Sequence, residues 1–206
     1  MYENSLIQKP WGYEYLIYEN DNVGIWFLHI NYGHQTSFHG HPCKKTGYII
    51  LSGVAEVSFF DNTIRLIPPE KLVLRTGVFH ATKAISKCGM DLIEIETPKN
   101  KDDIIRFEDP YGRAGKPYNT NCTIEPSNDI MLITEVNKNY QIGDCEVRLI
   151  HSLSTNYETS MIKQGGLKYQ DYDILACGDI VNKSMLKKCL SRFKPVQPSA
   201  MIGVNY

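Results

Sequence analysis

Gly33-His34-Gln35-Thr36-Ser37-Phe38-His39-Gly40-His41 is the stretch on which the reading of the fold turns. His39 and His41 are two residues apart, so on a β-strand both imidazoles leave the same face. Two imidazoles converging from one strand make half of a tetrahedral or octahedral metal site, and a third ligand must come from elsewhere. His80, at the end of Arg75-Thr76-Gly77-Val78-Phe79-His80, is the best candidate. Gly77 supplies a turn there, and a strand from His80 to Ile85 can lie beside the first. A lone His-x-His pair is weak, because two ordinary surface or core histidines give the same pattern. The surrounding glycines and the second element give it weight.

Working outward, residues 12–97 read as a run of short strands. Val23 to Ile30 is strongly apolar, with Ile25 and Phe27 on one face and Trp26 and Leu28 on the other. Tyr48-Ile49-Ile50-Leu51 is a compact apolar run that stops at Ser52-Gly53, a turn signal. Val54 to Phe60 alternates, and Asp61-Asn62 is a hairpin turn because both residues tolerate positive φ. Ile64, Leu66, Leu72 and Leu74 continue the pattern around Pro68-Pro69, and Met90 to Thr97 is the last clear strand. Closely spaced strands without a helical period predict an all-β sandwich or barrel.

Prolines at 98, 110, 117 and 126 mark residues 98–128 as a connector wrapping the barrel. Beyond it, Asp129 to Glu135 and Cys145 to Ser152 read as strands. Ser184 to Phe193 reads as a short helix, with Asn182 as N-cap and Pro195 past its end. This segment is too short for a comfortable core of its own, so it is expected to pack on the barrel or on a second subunit.

The chain has 206 residues, 42% hydrophobic and 22% charged, which allows a barrel-sized core. Its formal net charge of −1 creates no field for nucleic acid or anionic membrane, so neither is expected as a partner. No apolar run approaches the ~20 residues of a membrane span, and Met1-Tyr2-Glu3-Asn4 lacks the features of a signal peptide. A cytoplasmic location is expected. The six cysteines, 43, 88, 122, 145, 177 and 189, are widely and irregularly spaced, which favours free thiols.

The order Gly33…His39-x-His41…Gly53, followed by Gly77-x-x-His80, resembles the two motifs of the cupin superfamily. Two flanking stretches, Lys9-Pro10-Trp11-Gly12-Tyr13 and Asp103-Ile104-Ile105-Arg106-Phe107-Glu108-Asp109-Pro110-Tyr111-Gly112-Arg113, narrow the resemblance. Both look like the cupin domain of type II mannose-6-phosphate isomerases, which often follows a guanylyltransferase domain. The resemblance does not extend to that half, so its activity is not implied. The resemblance covers about residues 8–113. It implies a mainly β fold, a double-stranded β-helix or jelly-roll barrel, to which the reading above adds a C-terminal α+β extension. The expected division is 1–118 for the barrel with its flanking segments and 119–206 for an extension of unknown role. Two positions depart from the family: His39 stands where Gln is usual, and Thr46 stands where the family has a metal-binding Glu.

The expected cofactor is therefore one divalent metal ion (zinc, nickel, iron or manganese) held by His39, His41 and His80. Three neutral ligands leave the full charge on the metal and keep positions open for water or substrate. Glu94 and Glu96 alternate on the last barrel strand, and either is a candidate general base if their face looks inward. Lys45 joins them as a candidate catalytic group, and Arg75 and Arg113, with Lys44, are candidates for holding a phosphate. Each basic residue is individually more often a plain surface charge. Cys43 is a candidate soft ligand, although a packed thiol is the commoner outcome. Tyr48 and Trp11 read as core; His29 and His34 read as structural or surface residues, and His151 has no evident partner. The resemblance implies a sugar-phosphate or nucleotide-sugar isomerase or epimerase in surface polysaccharide synthesis, acting on a phosphorylated sugar as a homodimer. Two other classes fit the residues: a three-His iron oxygenase, and a non-catalytic sugar-binding sensor.

Overall fold

A computed structural model describes residues 6–19, 23–116, 123–127, 129–135, 138–152, 172–174, 180–182 and 199–205. The barrel has two walls. One is a seven-stranded antiparallel sheet in the order β12-β1-β2-β3-β10-β5-β8. Its strands are β1 (Leu6–Lys9), β2 (Gly12–Glu19), β3 (Gly24–Ile30), β5 (Lys45–Ser52), β8 (Lys71–Leu74), β10 (Met90–Thr97) and β12 (Thr123–Ile124). The facing wall combines β6 (Ala55–Ser58), β7 (Thr63–Leu66) and β9 (Ala81–Ala84) with the pair β4 (Phe38–Gly40) and β11 (Ile105–Glu108). Bridges Gln35↔Lys83 and His39↔His80 tie these two groups together. The strand pattern predicts an all-β sandwich or barrel, and the structure is the jelly-roll barrel that the resemblance implies.

The apolar runs in β3, β5 and β10 are nearly continuous because both of their faces are buried. Trp26, Leu28, Ile50 and Leu92 fill the barrel interior. Ile25, Phe27, Ile49, Leu51, Ile93 and Ile95 point the other way, into a second core shared with the C-terminal segment. That segment contributes a five-stranded sheet in the order β13-β14-β17-β15-β16. Its strands are β13 (Asn139–Ile142), β14 (Cys145–Ser152), β15 (Tyr172–Ile174), β16 (Ile180–Asn182) and β17 (Ser199–Asn205). Tyr140, Ile142, Val147 and Leu149 lie in the shared core with Ile133. The extension therefore packs on the outer face of the barrel wall.

The hairpin at Asp61-Asn62 forms as expected, with Phe59 N–H donating to Asn62 O at 2.8 Å. Two expectations need correction. The connector contributes strands: β11 pairs with β4, and β12 pairs with β1. Asp129 to Glu135 is not a strand. Tyrosine hydroxyls take the place of a neighbouring strand there. The Tyr15 hydroxyl donates to Met131 O and accepts from Ile133 N–H, both at 3.2 Å. The Tyr140 hydroxyl accepts from Thr134 and Glu135 N–H at 3.2 and 2.9 Å. Four backbone groups of the segment are satisfied in this way without a ladder. The helix expected at Ser184 to Phe193 lies outside the described residues. No helix among the described residues is long and apolar enough to cross a membrane.

Candidate metal centre

β4 ends at Gly40, and His41 lies immediately beyond it. Gly77, at φ +77°, makes the turn that brings the chain back, and its N–H donates to His41 O at 2.7 Å. His80 then pairs with His39 through two backbone hydrogen bonds, at 3.0 and 2.8 Å. The imidazoles of His39, His41 and His80 converge, and one nitrogen from each lies within 4.8 Å of the others. All three residues are buried.

The backbone sets the ring tautomers. His39 Nδ1 bonds to Ser37 O at 2.7 Å, His41 Nδ1 to Asp103 O at 2.6 Å, and His80 Nδ1 to Val78 O at 3.1 Å. A carbonyl can only accept, so each Nδ1 carries the proton and each Nε2 a lone pair. That is the tautomer a metal ligand needs, with the usual outer hydrogen bond already in place. His41 Nε2 is buried without a hydrogen-bond partner, the signature of a donor atom prepared for something else. Burial, the largest cause at each ring, pushes His41 down to about 3, His80 to about 4 and His39 well below its ordinary value. The rings are neutral, as ligation requires. The residues fit a divalent cation.

The surrounding cavity, about 60 Å³, has a strongly charged wall. Glu94 and Glu96 face inward, buried on β10 between the strands carrying Trp26 and Tyr48. Lys44 Nζ donates to Glu96 Oε1 at 2.7 Å. Lys101 Nζ reaches Glu96 at 3.1 Å, Glu94 at 3.3 Å and Glu14 at 3.8 Å. Lys9 meets Glu14 at 3.6 Å. The two β10 carboxylates are driven apart. Burial raises Glu94 above the ordinary carboxyl range, whereas at Glu96 the Lys101 and Lys44 ammoniums outweigh burial and hold it below that range.

Not every candidate residue reaches this cavity. Lys45 is exposed, one residue out of phase with the inward-facing Lys44, Thr46 and Tyr48. Arg75 is exposed at the turn before His80 and does not line the cavity. Arg113 does line it, clamped by Asp109 at 2.7 and 2.9 Å. Cys43 is exposed and stands outside the histidine cluster. His29 pairs with Asp91, and His34 with the Tyr111 hydroxyl. Tyr48 and Trp11 are buried as expected, but both also line the cavity. Glu14 and Lys101 were not singled out by the sequence, and Lys9 and Arg106 only as members of the flanking stretches, yet all four form part of its wall. Alternation along β1 and β2 is the local signal for Lys9 and Glu14.

A jelly-roll barrel with a buried three-histidine cluster at its motif strands defines a cupin. The chain matches the family model "Mannose-6-phosphate isomerase C-terminal" over residues 2–109, just over half of its 206 residues, and it belongs to that family. It is 31% identical over 114 residues to the xanthan biosynthesis protein XanB of Xanthomonas campestris pv. campestris strain B100, covering 52% of this chain and 24% of that one. It is 26% identical over 125 residues to the alginate biosynthesis protein AlgA of Pseudomonas putida, covering 58% and 25%. The chain thus spans about a quarter of the length of the curated relatives it matches. Among solved structures, KdgF from a Halomonas species aligns with a TM-score of 0.45 at 17% identity, covering 48% of this chain and 93% of that one.

Proposed function

We propose that the barrel is a metal-dependent isomerase acting on a phosphorylated aldose, in the manner its family name describes. The support for this reading is three buried imidazoles whose Nδ1 atoms are tied to backbone carbonyls, leaving Nε2 as the ligand atom, beside a cavity lined by two buried carboxylates, one raised and one lowered in pKa. A bound metal would be held by His39, His41 and His80, and would act as a Lewis acid on the sugar's carbonyl and neighbouring hydroxyl.

The chain's own residues supply the remainder. Glu94, raised toward the working pH by burial, is suited to carry a proton between adjacent sugar carbons. Glu96, locked by Lys44 and Lys101, stays ionised and fixes the position of both ammoniums. Arg106 and Arg113 line the same cavity and offer planar donors for a phosphate. The buried walls exclude bulk water from the proton carrier.

The test is incubation of the metal-loaded protein with mannose 6-phosphate and related aldose phosphates in D₂O, followed by NMR. Exchange of the C2 proton is expected, and Glu94→Gln should slow it by about 10²-fold or more while metal content stays unchanged. No exchange with any sugar phosphate in a broad panel would sink the isomerase reading.

A further inference from the structure

Tyr48 occupies an unusual position. It lies on β5 opposite Glu94, its side chain is 1% exposed, and its hydroxyl stands 3.0 Å from His80 Nε2. His80 Nδ1 already donates to Val78 O, so Nε2 has a lone pair and no proton. The phenol is therefore the donor. The atom it caps is the one that must ligate the metal.

We propose that Tyr48 is a gating and positioning residue of the metal centre, capping His80 Nε2 before metal enters and passing its hydrogen bond to an incoming anionic or oxygen ligand afterwards. The inference rests on the metal centre described above, and it does not depend on which reaction the protein performs. One lone pair serves one partner at a time, so a metal taking Nε2 must displace the hydroxyl. A metal held by His80 Nε2 would leave the displaced hydroxyl in the cavity that Tyr48 already lines. The hydroxyl is buried, and a buried donor without an acceptor is costly. The next acceptor to enter the cavity is favoured by that cost. Tyr48 thus opposes binding of the bare metal and assists the ligand that follows it. His41 carries no such cap, since its Nε2 is without a partner. The control is confined to one of the three ligands.

The test compares the wild type with Tyr48→Phe, which removes one oxygen and keeps the ring. Cobalt(II) titration, followed by the visible spectrum, gives the metal affinity. Azide titration of the cobalt-loaded protein gives the affinity for an anionic hydrogen-bond acceptor. A net contribution of one neutral hydrogen bond corresponds to roughly two- to tenfold. The variant should bind cobalt tighter by that factor and azide weaker by a similar one. Equal cobalt affinity in the two proteins overturns the gate. Unchanged azide affinity means that the hydroxyl retires to the neighbouring Thr82, and overturns the hand-over. A wild type that takes up no cobalt overturns the metal centre itself. If Tyr48→Phe does not fold, the wild type still decides the matter by ¹⁵N NMR of the His80 ring. The Nε2 resonance should show an accepted hydrogen bond that zinc abolishes, and a bond that survives zinc saturation overturns the proposal.

Discussion

His39 and His80 face each other as a reciprocal backbone pair, each donating its N–H to the other's carbonyl, at 3.0 and 2.8 Å, with their rings 4.6 Å apart. Two ligands, His39 on β4 and His80 just before β9, are thereby fixed to each other by the main chain, while His41 lies in the loop beyond β4.

Replacing His39, His41 or His80 by Ala should strip the metal in each case. No carboxylate stands in the ligand cluster to compensate, because among the described residues the grouped donors are these three imidazoles. Elemental analysis of the purified variants should show less than about a tenth of the wild-type content. Wild-type metal retention in His41→Ala would contradict the site.

Asp103 holds the His41 loop from outside. Its carbonyl accepts His41 Nδ1–H, while its carboxylate accepts the N–H groups of Cys43 at 2.9 Å and Lys44 at 2.8 Å. Asp103→Ala keeps the carbonyl and loses the clamp. Metal affinity should fall by about tenfold or more, as for other outer-shell changes, and stability by about 1–2 kcal/mol. Calorimetric metal titration and urea denaturation read the two effects separately. A variant that matches the wild type in metal affinity would remove Asp103 from the site's support.

The histidines also set an acid limit. Their folded pKa values lie below the ordinary 6.5, with burial as the main cause. The unfolded chain therefore binds more protons below 6.5, and stability falls as pH drops from there toward 4. Above 6.5 this contribution is complete and constant. Each fully buried imidazole supplies a slope of up to about 1.4 kcal/mol per pH unit. Glu94 works in the opposite sense, since its raised pKa lets the folded state take up a proton first, but one carboxyl faces three rings. Urea midpoints of chelator-treated protein at pH 7.5 and pH 5 should differ clearly, and equal midpoints would refute the argument.

The barrel needs its extension. Ile25, Phe27, Ile49, Leu51, Ile93 and Ile95 form one apolar face beneath Ile133, Tyr140, Ile142 and Val147. Removing residues 119–206 should leave every barrel strand but the short edge strand β12 and expose that face, causing dye binding and self-association. A smaller change tests the same packing: Ile133, 0% exposed, should cost about 2–4 kcal/mol as Ile133→Ala. A truncated protein that stays monodisperse, or a loss below about 1 kcal/mol in the point variant, would go against this account.

The parts of this molecule that were legible beforehand are those governed by local period. Ile25 and Phe27 separate from Trp26 and Leu28 as alternation requires, and Gly77 turns the chain toward His80. What was not legible depends on one-residue phase or on distant partners. Lys44 enters the cavity and Lys45 does not, a distinction lost across the break at Pro42. Lys9 and Glu14 are buried only because they meet each other and Lys101 across the sheet. Asp129 to Glu135 has the composition of a strand, but Tyr15 and Tyr140 supply its hydrogen bonds from positions no local pattern reveals.

The family resemblance of the sequence implies a metal-binding Glu at the position of Thr46. Thr46 is 1% exposed, its Oγ1 has no hydrogen-bond partner, and it lies directly opposite Glu96 in the strand register. The interior here is already charged, because Glu96 is held ionised by Lys44 and Lys101. Thr46→Glu would place a second carboxylate across the strand pair from the first, and like charges in that position repel. Without metal the variant should lose stability, by about 3–5 kcal/mol for an unpaired buried charge. With metal the new carboxylate becomes a fourth ligand, cancels one unit of charge and fills a position that substrate needs. The variant should therefore bind metal more tightly, and its melting temperature should rise more on metal addition than that of the wild type. Any isomerase activity should fall. Thermal melts with and without zinc, alongside a metal titration, give the answer. An increase in activity would mean that Thr46 marks a decayed isomerase retained for binding. Unchanged metal affinity would mean that position 46 does not look onto the histidines.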